Sequence, residues 1–180
     1  MALTATVHVF TVRLADADRG VYETLTLRMA RHPSETAEYL ITRLLAYCLE
    51  YTQGIAFSNG LSSPEEPAIA VRDLTGILEK WIDIGSPEAA RLHKASKAAP
   101  RVAVYAQRKV DTWLERLAGE RIHRAQSIEI RVVPQQPLAM IVSRLERRMD
   151  LDLSISDGTL YVSIGDETVS GEIEALRLGQ

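Results

Sequence analysis

The sequence predicts a single α/β (α+β) domain spanning residues 1–180, with a mixed β-sheet flanked by helices, and three observations carry that prediction. Two long segments near the start alternate side chains with the period of two that a half-buried strand requires. Residues 34–51 instead repeat apolar positions at helical spacing. A strand–helix–strand succession over residues 77–107 then calls for a right-handed crossover and a parallel pair.

In residues 4–14, Val7, Val9 and Thr11 oppose His8, Phe10 and Val12, and the β-branched content favours a strand. Residues 15–20 form a polar hairpin loop. Residues 21–30 alternate again, Tyr22, Thr24, Thr26 and Arg28 against Glu23, Leu25, Leu27 and Met29, so two long antiparallel strands open the chain. His32-Pro33-Ser34-Glu35 marks a helix start with Ser34 as N-cap, and Glu35 and Glu38 complement the helix dipole. Ile41, Leu44, Leu45 and Cys48 form its buried stripe, and the helix is expected to run to about Tyr51. Glu38 sits about 90° from the centre of that stripe at 100° per residue, placed to look into a cleft at the rim of the core.

Residues 54–57 read as a short strand and 58–67 as a loop rich in Ser, Pro and Gly. Residues 68–72 and 77–84 make a hairpin, with Ile77, Glu79, Trp81 and Asp83 on one face and Leu78, Lys80, Ile82 and Ile84 on the other. Ser86 as N-cap and Pro87 at the first position start a second helix, which carries Arg91, Lys94 and Lys97 before Pro100 ends it. A strand over 101–107, a helix over 110–118 and a strand over 127–133 follow. Residues 138–149 read as a helix with basic residues at Arg144, Arg147 and Arg148. Strands at 151–156 and 159–164 flank the hairpin turn Asp157-Gly158, and the last ten residues or so are weakly specified.

A chain with 46% hydrophobic and 25% charged residues is long enough to bury one substantial core. A net charge of −3 argues against broad electrostatic binding of nucleic acid but leaves local basic clusters open. Cys48 is the single cysteine, so no intramolecular disulfide forms; a reducing cytoplasm is the simplest compartment, and Cys48 reads as a small core residue. No segment approaches the about 20 apolar residues a membrane-spanning helix needs, and residues 1–10 lack a basic region before an apolar run, so neither membrane insertion nor export is expected.

Glu38, Glu66 and Asp83 are the carboxylates that could gather at one place, which is how a hard divalent cation is held for phosphodiester hydrolysis. The plain alternative keeps all three as solvated surface acids. His8, His32, His93 and His123 lack metal-ligand spacing, and no phosphate-loop or dinucleotide-binding string is present. The Arg144, Arg147, Arg148 cluster suits either a phosphate backbone or a solvated helix face.

Several strings coincide in order with those of a known family: Arg31-His32-Pro33-Ser34-Glu35-Thr36, Arg43-Leu44-Leu45-Ala46, Asp73-Leu74-Thr75-Gly76 and Trp81-Ile82-Asp83-Ile84-Gly85, with the opening Met-Ala-Leu and Asp18-Arg19-Gly20. In these the chain resembles the bacterial YaeQ family, a variant of the PD-(D/E)XK restriction-endonuclease-like fold with no settled activity. The resemblance implies a restriction-endonuclease-like core with additional antiparallel strands at both ends. It places the helix glutamate at Glu38, less well at Glu35. The Pro-Asp pair falls at Pro67-Ala68, where the aspartate is absent and Glu66 is the nearest substitute. The acid of the last element falls at Asp83, with Gly85 where its lysine belongs. Lys94 or Lys97, three residues apart on the next helix, would supply the ammonium instead.

Two functions are therefore expected to compete. One is a Mg²⁺-dependent, nuclease-like phosphodiesterase acting on nucleic acid, with Glu66 and Asp83 on the metal, Glu38 orienting water, and Lys94 or Lys97 stabilising the transition state. The other is a non-catalytic binding or regulatory protein that keeps the fold without the chemistry. Oligomeric state is not readable from the chain.

Overall fold

The structure, a computed structural model, describes residues 4–58 and 63–179. The opening Met-Ala-Leu and residues 59–62 of the loop expected at 58–67 lie outside the described residues. In chain order the elements are β1 (Thr6–Asp16), β2 (Val21–Arg31), α1 (Ala37–Leu49), β3 (Ile55–Phe57), β4 (Ile69–Arg72) and β5 (Leu78–Ile84). Then come α2 (Ala89–Ala98), β6 (Arg101–Ala106), α3 (Asp111–Leu117), a 3-10 turn (Ala125–Ser127), β7 (Glu129–Val132) and α4 (Gln135–Ser143). The chain finishes with β8 (Arg148–Ser156), β9 (Thr159–Ile164), β10 (Glu167–Glu172) and β11 (Glu174–Arg177). None of the described helices is long and apolar enough to cross a membrane.

Where the sequence predicts one mixed sheet, the described strands form two, because β8 pairs with β1 and carries β9 and β10 with it, while β11 returns to pair with β7. Two compact units result, Met1–Ile41 with Pro134–Ile173 and Thr42–Val133 with Glu174–Gln180. The division falls inside α1.

In the first unit the strand order is β10-β9-β8-β1-β2, with β1 and β8 parallel and the other pairs antiparallel. Period two puts Phe10, Val12, Leu14, Leu25, Leu27, Met29, Leu151, Leu153, Ile155, Leu160 and Val162 among the buried side chains. Their alternation on paired strands gives one apolar face, and α4 buries Leu138, Met140 and Ile141. Gly171 is required where β10 meets the start of α4: a Cβ there would sit 2.4 Å from the Pro134 Cβ. The expected Asp157-Gly158 turn is present, with φ of 50° and 73° as a type I′ hairpin requires. Asp18 locks it by accepting the backbone N–H groups of Asp157 (2.7 Å) and Gly158 (2.9 Å).

The helix expected over 138–149 spans 135–143 instead, so Arg144, Arg147 and Arg148 do not share a helix face. Met149, Leu151, Leu153 and Ile155 form one buried period-two row, and pairing Met149 with Phe10 recruits Arg148 into β8. Arg144 forms an ion pair with Glu167. Helix α1 also starts later than expected. The Ser34 hydroxyl is engaged with His32 Nδ1 at 2.6 Å, and the Thr36 hydroxyl accepts the Tyr39 N–H at 3.1 Å, so Thr36 is the cap and Glu35 precedes the helix.

In the second unit the order is β11-β7-β6-β5-β4-β3, with β5, β6 and β7 mutually parallel and α2 making the expected crossover between the first two. Trp81, Val102, Val104, Ala106 and Ile130 form one apolar cluster with Leu92 and Ala95 of α2 and Trp113 and Leu117 of α3. Helix α2 begins at Ala89 with Glu88 as cap, two residues past the expected start. Ser86 and Pro87 are left outside it, and the Trp113 Nε1–H donates to the Pro87 carbonyl at 2.9 Å. Cys48 is fully buried as expected. Tyr47 of α1 stacks on Phe57 at 4.5 Å between ring centroids.

Candidate functional site

Strand β5 carries Asp83 on the face shared with Trp81, and its carboxylate is almost entirely inaccessible at 2% exposure. A bare carboxylate there would be costly, because the charge loses its hydration without a compensating partner. The partner is Arg91, on the first turn of α2. Its Nε donates to Asp83 Oδ2 at 2.6 Å and its Nη2 to Oδ1 at 2.8 Å, a two-pronged pairing that fits the planar fork of the guanidinium. The Ala68 N–H donates to Oδ1 at 3.3 Å. The Arg91 guanidinium also lies 5.4 Å from the Trp81 ring centroid, a cation–π geometry.

The same arginine ties down the loop before β4. Its Nη2 donates to the Glu66 carbonyl at 2.9 Å and its Nη1 to the Pro64 carbonyl at 3.3 Å. One helical turn on, Lys94 forms an ion pair with Glu65 and donates to the Pro64 carbonyl at 3.4 Å. Asp83, Arg91, Lys94 and the loop at 64–68 therefore form one polar assembly within the second unit. Glu66 enters it through its backbone, and it lines a cavity of about 170 Å³ with Phe57, Ser58 and Arg72. Lys97 is exposed near the end of α2. Glu38 lies in the first turn of α1, in the stretch belonging to the first unit. Among the described residues, no three His, Cys, Asp or Glu side chains group as metal ligands would. A larger cavity of about 380 Å³, lined by Pro87, Trp113, Arg116 and Leu117 among others, includes none of the candidate acids or lysines named from the sequence.

A second ionic cluster lies on the opposite face of the same sheet. Lys80, only 4% exposed, donates to Glu50 at 2.8 Å and to Glu129 at 3.2 Å. The Tyr105 hydroxyl donates to the other Glu50 oxygen at 2.8 Å. Burial, then the charge of Glu50, pushes the Tyr105 phenol well above its ordinary range. Burial would raise the Glu129 carboxyl, but the charge and hydrogen bond of Lys80, helped by Arg131 and Arg101, hold it below the usual glutamate range. Sequence reasoning named neither Arg91 as the partner of Asp83 nor this cluster. The available signal was Lys80 alternating with Leu78, Ile82 and Ile84: a lysine in an apolar row must find a buried acid.

The family model described as YaeQ protein matches residues 1–173. "Uncharacterized protein YaeQ" of Escherichia coli (strain K12) is 32% identical over 165 residues, covering 91% of each chain, and the protein of that name from Salmonella typhi is similar to the same degree. The crystal structure of YaeQ protein from Pseudomonas syringae superposes with a TM-score of 0.83 at 32% identity, covering 96% of each chain. That of YaeQ protein from Xanthomonas axonopodis pv. citri gives 0.84 at 31% identity, covering 97% of this chain and 99% of the other.

Proposed function

We propose that this chain, which belongs to the YaeQ family, is a non-catalytic binding protein that retains a restriction-endonuclease-like core. The observation that carries the reading is the Asp83–Arg91 pair. Both oxygens of the buried carboxylate already accept hydrogen bonds from one guanidinium, whose remaining donors hold the backbone at Pro64 and Glu66. An arginine so placed is a clamp between β5, α2 and the loop before β4.

The residues present do not fit a divalent cation. Asp83 would have to give up Arg91, Lys94 is engaged with Glu65, and no three-ligand group exists among the described residues. Ala68 and Gly85 stand where the family's nuclease pattern has an aspartate and a lysine. The metal-dependent phosphodiesterase reading keeps one point in its favour: the Asp83 carboxylate and the Lys94 ammonium, the latter paired with Glu65, both meet the loop at 64–68.

Calorimetric titration with Mg²⁺ and with Mn²⁺ separates the two. The binding reading expects no heat of metal association from the wild type or from Asp83→Ala, and no cleavage of DNA or RNA by the wild type. Metal binding that disappears in Asp83→Ala, with cleavage that disappears in Asp83→Asn, overturns it.

A further inference from the structure

We propose that Arg101, Arg131 and Arg177 form a docking surface for the phosphodiester backbone of single-stranded nucleic acid; this partner class rests on the binding reading above and gives it a site. The strand register builds the surface. Lys80 pairs with Arg101, Ala103 with Glu129, Tyr105 with Arg131, and Glu129 with Arg177. Directly paired residues in neighbouring strands share a face, and so do residues two apart within a strand. All four cations therefore project from one face of β5, β6, β7 and β11, with Glu129 in their midst and Glu50 reaching in from the end of α1.

The charges do not cancel. Lys80 is consumed by Glu50 and Glu129 at hydrogen-bond distance. The three arginines stand off from Glu129 at 3.7, 3.9 and 3.8 Å, beyond hydrogen-bonding range, so four cations face two carboxylates. Arg177 is steadied by donating to the Ser127 carbonyl at 3.1 Å. The arginine side chains remain 65%, 32% and 43% exposed for Arg101, Arg131 and Arg177. In a chain of net charge −3, this is a local concentration of positive charge and not a consequence of overall basicity.

Guanidinium forks match phosphate oxygens in pairs. From β6 to β11 the patch is two strand spacings wide, roughly 10 Å. A phosphodiester chain carries a charge on every nucleotide whatever its sequence, so it engages several forks in that width at once. An acidic peptide would need closely spaced carboxylates to do the same.

The test is fluorescence anisotropy with a labelled oligothymidylate about twelve nucleotides long, within the span a single-strand groove covers, measured in EDTA. Three phosphate contacts to a single strand give a log–log salt slope of about −2, so affinity should fall about 20-fold between roughly 50 and 200 mM salt. Replacing all three arginines by glutamine should abolish both the low-salt affinity and the slope. Arg101→Gln alone, at the most exposed position, should reduce the slope by about 0.7. Glu129→Gln should tighten binding, an effect in the opposite direction from any loss of folding. The proposal is overturned by undetectable binding at low salt, by a triple variant that keeps the wild-type slope, or by polyglutamate of equal charge competing as well as unlabelled oligonucleotide. Binding absent in EDTA but restored by added Mg²⁺ would count against the non-catalytic reading, whereas an unaltered triple variant would count against this surface alone.

Discussion

Replacing Arg91 with alanine removes a donor from three groups at once: the Asp83 carboxylate and the carbonyls of Pro64, which keeps Lys94, and Glu66. The carbonyls lie in an exposed loop and rehydrate at little cost. The carboxylate, at 2% exposure, does not, and among the described residues keeps the Ala68 N–H alone. Leaving one member of a buried ion pair uncompensated typically costs about 3–5 kcal/mol. The Arg91 side chain is 28% exposed, which admits some water and places the expected loss near the lower end, about 3 kcal/mol. For a chain of this size that corresponds to a melting-temperature drop of roughly 10 °C. A double-mutant cycle in urea with Asp83→Asn isolates the pair: once the charge at position 83 is gone, Arg91→Ala should cost only about 1 kcal/mol, a coupling of about 2 kcal/mol. Additive effects, with coupling below about 0.5 kcal/mol, would refute the claim that this arginine neutralises this aspartate.

The buried lysine makes a parallel prediction. Lys80→Met leaves Glu50 and Glu129 together without their shared ammonium and should destabilise by about 3 kcal/mol in urea unfolding, with partial rescue by Glu50→Gln. Stability should also depend on pH in a defined direction. Because the Glu129 carboxyl is held low in the folded protein, its contribution is complete above the unfolded value of about 4.3 and is lost as pH falls through the lowered folded value. Thermal melts between about pH 5 and 3 should therefore show a fall that Lys80→Met flattens. At the alkaline end the raised Tyr105 phenol reverses the sign: unfolded tyrosine ionises near pH 10 while the folded one stays protonated, so stability should decline above about pH 10 and Tyr105→Phe should blunt the decline.

Local pattern made much of the fold legible. The two opening strands, the burial of Cys48, the crossover through α2 and the Asp157-Gly158 hairpin all follow from side-chain period or turn chemistry, which neighbouring residues determine. The end of α4 is ambiguous in the sequence because Met149 fits a helical stripe through Leu138 and Ile141 as readily as a period-two row with Leu151 and Leu153. Its pairing with Phe10 decides the matter, and that contact is remote in sequence. Strands β10 and β11 leave no pattern in the sequence because neither has a buried apolar row. The separation into two sheets is likewise a matter of which strands pair over long distances, and no local window contains it.

The site divides in the same way. Asp83 and Lys94 stand out as ionisable residues at the rim of an apolar hairpin and on the helix beyond it, so the sequence locates the polar assembly. It does not say that Arg91, three residues before Lys94, takes both oxygens of Asp83. That depends on Gly85 turning the chain at a φ of 90° so that α2 runs back across β5. Glu38 illustrates the opposite limit: helical periodicity places it in the first turn of α1 but carries no information about what a side chain at the edge of a stripe faces.

Soaking crystals of the protein in Mn²⁺ and calculating an anomalous difference map addresses the central claim most directly. The expected result is no peak within coordination distance of Asp83, with the guanidinium of Arg91 still bound across both carboxylate oxygens. A manganese peak on Asp83 with Arg91 swung aside would contradict it and return the chain to the metal-dependent hydrolases.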